Sequence, residues 1–99
     1  MPDSMRVELV SIEKAIWSGD AKFVRAKTVE GEIGILPGHS PLLGELEPGH
    51  PVRIDPVSGA SITVNVDGGF LSVRPDGVSV LAESAEVVSG SGEPSASTH

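Results

Sequence analysis

Cysteine and tyrosine are absent from this chain, aromatic side chains are scarce, and cations are few. Without cysteine there is neither a disulfide framework nor a thiolate metal site. Seven Lys and Arg against fourteen Asp and Glu leave a formal net charge of −7. That balance argues against a nucleic-acid partner, whose phosphates must be met by cations, and against adhesion to anionic lipid. With one Trp and two Phe, the chain is poorly equipped to stack sugar rings. No apolar run approaches the ~20 residues of a spanning helix, and no basic leader precedes an apolar stretch. The expectation is an intracellular chain without direct membrane insertion, reaching a membrane only through a partner. The 99 residues, 38% of them apolar, make room for one domain. A domain of this size buries about 60–70% of the surface its unfolded chain exposes, so its stability should be modest.

Glycine and proline are plentiful by contrast, at 12 and 8 residues, and they punctuate the chain at intervals of about ten residues. Arg6 to Ile12 reads as a strand, with Val7 and Leu9 on one face and Val10 and Ile12 on the other. Ala15 to Thr28 reads as two strand segments with a bend or bulge at Gly19. The alternative is one amphipathic helix, against which the Ser18-Gly19-Asp20 interruption speaks. Val29-Glu30-Gly31-Glu32 predicts a tight reversal with Gly31 at positive φ. Glu47-Pro48-Gly49 is a further turn, Val52 to Ile54 a short strand, and Asp55 to Gly59 a hairpin loop. Ser61 to Val66 alternates cleanly, placing Ile62, Val64 and Val66 inward. Asp67-Gly68-Gly69 turns into Phe70 to Val73, and Arg74-Pro75-Asp76-Gly77 into Val78 to Ala82. Short strands joined by Gly/Pro turns predict an all-β fold, an antiparallel β-sandwich. Its bounds are residues 6–88, after a loose N-terminus at 1–5. Residues 89–99 carry no large apolar side chain and read as a disordered polar tail.

The most heavily punctuated stretch is Gly31 to Leu43, Gly-Glu-Ile-Gly-Ile-Leu-Pro-Gly-His-Ser-Pro-Leu-Leu. Three glycines and two prolines exclude a helix there. They predict a very short strand running into a rigid loop that displays Glu32 and His39. This stretch resembles the signature of the epsilon subunit of the rotary proton-translocating ATP synthase. Val7 to Ser11, Trp17-Ser18-Gly19, and Asp67 to Leu71 with Val78 to Glu83 agree with it in the same order. The resemblance covers roughly residues 5 to 85. It lacks the family's C-terminal helical hairpin, which regulates hydrolysis and in some members binds ATP.

The resemblance implies a non-catalytic rotor subunit in the central stalk, coupling gamma to the membrane c-ring for ATP synthesis. Such a subunit is peripheral, at the cytoplasmic face of the bacterial cell membrane. Carried over by position, Glu32, Gly38 and His39 are candidate contacts to gamma and the c-ring, and Ser11 a candidate on the gamma side. Leu42, Leu43 and Leu46 follow a proline and read either as an apolar patch for gamma or as core. The plainer reading of the polar pair is that His39 caps a turn while Glu32 is solvated. Trp17 reads as core filling beside Phe23 and Phe70, or as an interface anchor.

No catalytic or cofactor-binding residue is expected. Ser40 directly follows His39, and neighbours on an extended chain point oppositely, so they make no nucleophile–base pair. Asp67-Gly68-Gly69 opens a strand rather than a helix and lacks the aligned amides of a phosphate loop; no nucleotide is expected. His39, Glu45 and His50 lie close in sequence, but the His-x-His pair of a cupin-type metal site is missing. The rival reading is a free-standing β-sandwich that binds a ligand or peptide.

Overall fold

The alternation seen in Ile62, Val64 and Val66 recurs along most of the chain and builds a fold made of strands. The computed structural model describes residues 4–89. In chain order the strands are β1 (Met5–Ser11), β2 (Ala15–Thr28), β3 (Gly31–Ile35), β4 (Leu42–Glu45) and β5 (His50–Pro56). They continue as β6 (Ile62–Val66), β7 (Gly69–Arg74), β8 (Gly77–Ala82) and β9 (Ala85–Ser89). No helix occurs among the described residues. The strands hydrogen-bond in the order β4-β7-β8-β1-β2-β5-β6-β9, with β3 also on β2. Every pairing is antiparallel except β1 with β8.

β2 organises this order. Its first half pairs with β1, its second half with β3, and its middle with β5. Ala21 is registered with both Met5 and Pro56, and Val24 with both Ile35 and Ile54. Each strand has two edges, so β1 and β3 follow one another along one edge of β2 while β5 takes the other. The expected break at Gly19 is not there. Gly19 pairs in register with Val7, under the ring of Trp17, and the strand runs unbroken. Irregularities fall instead where Leu9 and Val10 pair with Trp17 and Ala15, and between Ala21 and Phe23. From Trp17 to Ala21 the odd positions face inward, ending at fully buried Ala21; beyond it Val24, Ala26 and Thr28 are buried. One extra residue has shifted the alternation, as a β-bulge does.

The bulge lets both halves of β2 feed one core. Val7, Leu9, Val24, Ile35, Leu46, Val52, Ile54, Val64, Leu71 and Val80 belong to a single buried cluster. Each such side chain contributes about 1.5–3 kcal/mol relative to leaving it exposed. Leu46 stitches the two halves together along the backbone. Its N–H donates to the Gly69 carbonyl at 2.9 Å, while its neighbours exchange bonds with β2: Val29 N–H to Glu45 O and Glu47 N–H to Lys27 O, both 2.9 Å. Thr28 is the one buried polar residue in this region. Its hydroxyl donates to the Gly31 carbonyl at 2.8 Å and accepts from the Glu30 N–H at 3.2 Å, so burial leaves it satisfied. These bonds close the expected reversal, with Gly31 at φ +133°.

Other differences have local causes. Val52 to Ile54 extends in both directions to the full length of β5, because β6 pairs with it from His50 to Ile54. Ile12 lies beyond β1 in the turn and is 75% exposed. β9 was not expected; it forms by adding to the free edge of β6. The stretch expected to be a disordered tail lies, from residue 90 onward, outside the described residues.

Two glycines mark close backbone approaches at the ends of β7 and β8. A Cβ on Gly69 (φ +126°) would run into the Leu81 carbonyl oxygen, and one on Gly77 (φ +156°) would lie 2.5 Å from the Arg6 carbonyl oxygen. Gly69→Ala is expected to destabilise the fold by about 3 kcal/mol, at the upper end of ordinary single substitutions, read as a lowered urea midpoint. Gly49→Ala has φ +81° but open space around the new carbon, and should cost only about 1–2 kcal/mol. Equal losses at both positions would show that backbone conformation, not close approach, sets the requirement at Gly69.

Candidate functional site

Alternation along β7 turns Leu71 and Val73 inward, and so turns Phe70 and Ser72 outward; β8 likewise buries Val78, Val80 and Ala82 and exposes Leu81. Register then aligns the outward residues. Phe70 is partnered by Glu45 on one side and Leu81 on the other, and Leu81 in turn by Val10. Leu43 stands two residues from Glu45 on the same face of β4. Exposure is 73% for Leu43, 51% for Phe70 and 49% for Leu81. The outcome is an apolar stripe, Leu43–Phe70–Leu81–Val10, across β4, β7, β8 and β1. Glu8, Glu45, Ser72 and Ser79 form its polar surround.

The residues singled out from the sequence fall in three places. Ser11 adjoins the stripe in sequence but not on its face, being registered with buried Ala82 where Val10 is registered with exposed Leu81. Ser11 ends β1 next to Val10, and its Oγ accepts from the N–H groups of Glu13 and Lys14 at 3.2 Å each, holding the β1–β2 turn. Leu43 is fully part of the stripe. The leucine run left open between patch and core is divided: Leu42 packs partly against the core, Leu43 faces out, and Leu46 is buried.

Gly38 and His39 sit in the loop after β3, beside a cleft of about 530 Å³. The floor of this cleft is Ile35, Val73 and Val78, and its rim carries Arg6 and the Arg74–Asp76 ion pair, 3.2 Å apart. The loop is held by a turn in which His39 N–H donates to Leu36 O at 3.0 Å, with Gly38 at φ +88°. His39 Nδ1 lies 2.7 Å from the Ser40 carbonyl. A carbonyl can only accept, so Nδ1 is the donor in this contact.

Glu32 is elsewhere, on the outward face of β3. It lines a second cleft, of about 230 Å³, together with Arg25, Lys27, His50, Arg53 and Thr63. His39, Glu45 and His50 therefore lie on separate parts of the surface. Among the described residues no three His, Asp or Glu side chains stand close enough to hold a metal ion.

Residues 4–88 match the family described as ATP synthase, Delta/Epsilon chain, beta-sandwich domain. This chain belongs to that family. It is 55% identical over 83 residues to the ATP synthase epsilon chain of Rhodococcus erythropolis, covering 84% of this chain and 68% of that protein. It is 56% identical to the epsilon chain of Nocardia farcinica over 82 residues, covering 83% of this chain and 63% of that one. The epsilon chain of Frankia casuarinae is 53% identical over 84% of this chain, and the match takes in 96% of that protein's length. The fold is similar to a chain of the Euglena gracilis mitochondrial ATP synthase, solved with its OSCP, F1 and c-ring. There the TM-score is 0.80 at 24% identity, over 88% of this chain and 55% of that one.

In this delta/epsilon-type sandwich, Phe70, Leu81 and Val10 are the surface residues that sequence reasoning passed over. Phe70 was expected in the core beside Trp17 and Phe23. Trp17 does pack against the core. Phe70 instead faces out, and the Phe23 ring covers Gly34, where a Cβ would lie 3.1 Å from it. The signal was available: the same alternation that turns Leu71 and Val73 inward leaves Phe70 on the other face.

Beside the second cleft, Asp55 Oδ1 accepts from Ser61 Oγ at 2.6 Å and from Arg53 Nε at 3.1 Å. The Ser61 hydroxyl, aided by the Arg53 guanidinium, holds the Asp55 carboxyl below its ordinary value of 3.8, against an opposing effect of burial. A depressed folded value means a stabilisation present above the ordinary carboxylate range and lost as pH falls through the folded value. Asp55→Asn is therefore expected to reduce the loss of stability on acidification below about pH 4, measured by urea unfolding across pH. An unchanged pH profile would show that this network does not couple to folding.

Proposed function

We propose that this chain is a non-catalytic rotor component of a proton-translocating ATP synthase, joining the gamma subunit to the membrane c-ring so that torque passes without slippage. It would work at the cytoplasmic face of a bacterial membrane as a peripheral subunit. No helix among the described residues is long and apolar enough to cross a membrane. The reading is carried by the apolar stripe Leu43–Phe70–Leu81–Val10. A contiguous exposed apolar patch with a polar rim is the ordinary form of a protein–protein contact. Gamma is the partner assigned to it.

A clamp needs a second, separate contact surface. His39, in the loop after β3, and Glu32, on an exposed strand face, both stand away from the stripe and supply polar groups that set register. The Frankia casuarinae epsilon chain, nearly all of which lies within the match, supports the view that the sandwich carries this role.

The test is binding of the cognate gamma subunit by the Phe70→Ala and Leu81→Ala variants. An aromatic anchor at an interface centre contributes about 2 kcal/mol or more, so affinity should fall about 30-fold. Urea stability should stay nearly unchanged, since both side chains are half exposed. Wild-type affinity in both variants would remove the observation on which the reading rests. Glu32→Ala with His39→Ala should likewise leave folding within about 0.5 kcal/mol of wild type. Proton-driven ATP synthesis by the assembled enzyme should nonetheless be reduced.

A further inference from the structure

We propose that the cleft over β3, β2, β5 and β6 is a binding site for a phosphoryl anion the size of a mono- or diphosphate. It is distinct from the apolar stripe and shares Glu32 with the polar contact surface of the rotor reading. The chain has seven Lys and Arg among fourteen Asp and Glu, yet three of the seven, Arg25, Lys27 and Arg53, line this one cleft. Glu32 is the only carboxylate among the lining residues.

Folding does not call for this arrangement. Arg25 and Arg53 are direct cross-strand partners, and like charges placed opposite one another destabilise a sheet. Any polar residue would serve at an outward position. Glu32 is registered opposite Lys27, but the ion pairs among the described residues are Arg53–Asp55 and Arg74–Asp76. Arg25 and Lys27 are in neither.

The cleft is also prepared for a ligand. Arg53 donates from Nε to Asp55 and from Nη2 to Ser61, at 3.1 and 3.3 Å. These bonds fix the guanidinium plane before anything binds, which lowers the entropy lost on binding. Thr63, the partner of Arg53 on β6, adds a hydroxyl, and His50 an imidazole. The lining side chains of Arg25, Lys27, Arg53 and Glu32 carry three positive charges and one negative. The Asp55 carboxylate that holds Arg53 adds a second negative charge, so the cluster is left at +1 and favours an anion such as a phosphate group. No Phe, Tyr or Trp lines the cleft, so it offers no large aromatic face to a nucleobase. The recognised chemistry is the phosphoryl group itself.

The experiment is a titration of the ¹⁵N-labelled chain with sodium phosphate and sodium pyrophosphate, against sodium chloride at matched ionic strength to remove general screening. Saturable shifts are expected at the amides of Arg25, Arg53 and Thr63. Affinity should fall about tenfold in Arg25→Gln and again in Arg53→Gln, each replacing a charge-assisted hydrogen bond. The amides of the remaining strands report that both variants stay folded. The proposal is overturned if no saturable shift occurs up to about 10 mM anion, a very weak limit of affinity. It is equally overturned if the shifts match those at Arg6 and Arg74 on the other cleft, or if Arg25→Gln binds like wild type. A parallel arm with phosphatidylglycerol and phosphatidylcholine vesicles distinguishes the source. Co-sedimentation with phosphatidylglycerol that needs Arg25 and Arg53 assigns the site to a lipid headgroup, and binding of soluble diphosphate alone assigns it to a free anion.

Discussion

The register shift between Ala21 and Phe23 is the constraint on which the rest of the structure depends. β2 is long enough to belong to both halves of the fold, and its side chains alternate strictly as long as the ladder is regular. A straight ladder would send Val24, Ala26 and Thr28 to the solvent if Ala21 faced the core, because a shift of one residue flips every side chain. The extra residue restores burial on both sides of the bend. β1 and β3 can then follow one another along the same edge, and β5 can occupy the opposite one. Leu46 and its flanking hydrogen bonds complete the closure, since β4 and β7 would otherwise be tied to β2 only through β8 and β1.

Once the parity of β2 is set, the outward faces are set too, and they differ in character. On β4, β7, β8 and β1 the outward side carries an apolar row bordered by Glu and Ser; on β3, β2, β5 and β6 it carries a cluster of cations, in a chain whose net charge is −7. Phe23, Arg25 and Lys27 face outward because the bulge precedes them. Burial binds the inward residues to one another and says little about partners. The outward rows are free of that demand, so their unusual composition is the part of the surface that calls for a functional explanation. An apolar row suits a protein partner that removes it from water, whereas opposed arginines suit an anion that screens their repulsion.

Much of this was legible before any coordinates. The alternation in Ile62 to Val66, the reversal at Gly31 and the turn at Pro75-Asp76 are local signals, decided by side-chain period and by which residues tolerate turn conformations. The resemblance carried by Gly31 to Leu43 was legible for the same reason, as it lies in one uninterrupted run. The division of Leu42, Leu43 and Leu46 between half-buried, exposed and buried positions was not legible. Three leucines within five residues look alike until β7 fixes which face of β4 is inside.

The sequence by itself determined the strand content, most of the turns and the family, because each depends on residues within a few positions of one another. The tertiary structure alone decided where the bulge in β2 falls, that β9 joins β6, and that β1 lies parallel to β8. It alone also brought Arg25 against Arg53, joined Phe70 to Leu81 and Val10, and parted Glu32 from His39. Each of these is a pairing between segments distant along the chain. Such pairings are chosen by the joint packing of one shared core, and no local pattern encodes which distant strand will supply the partner.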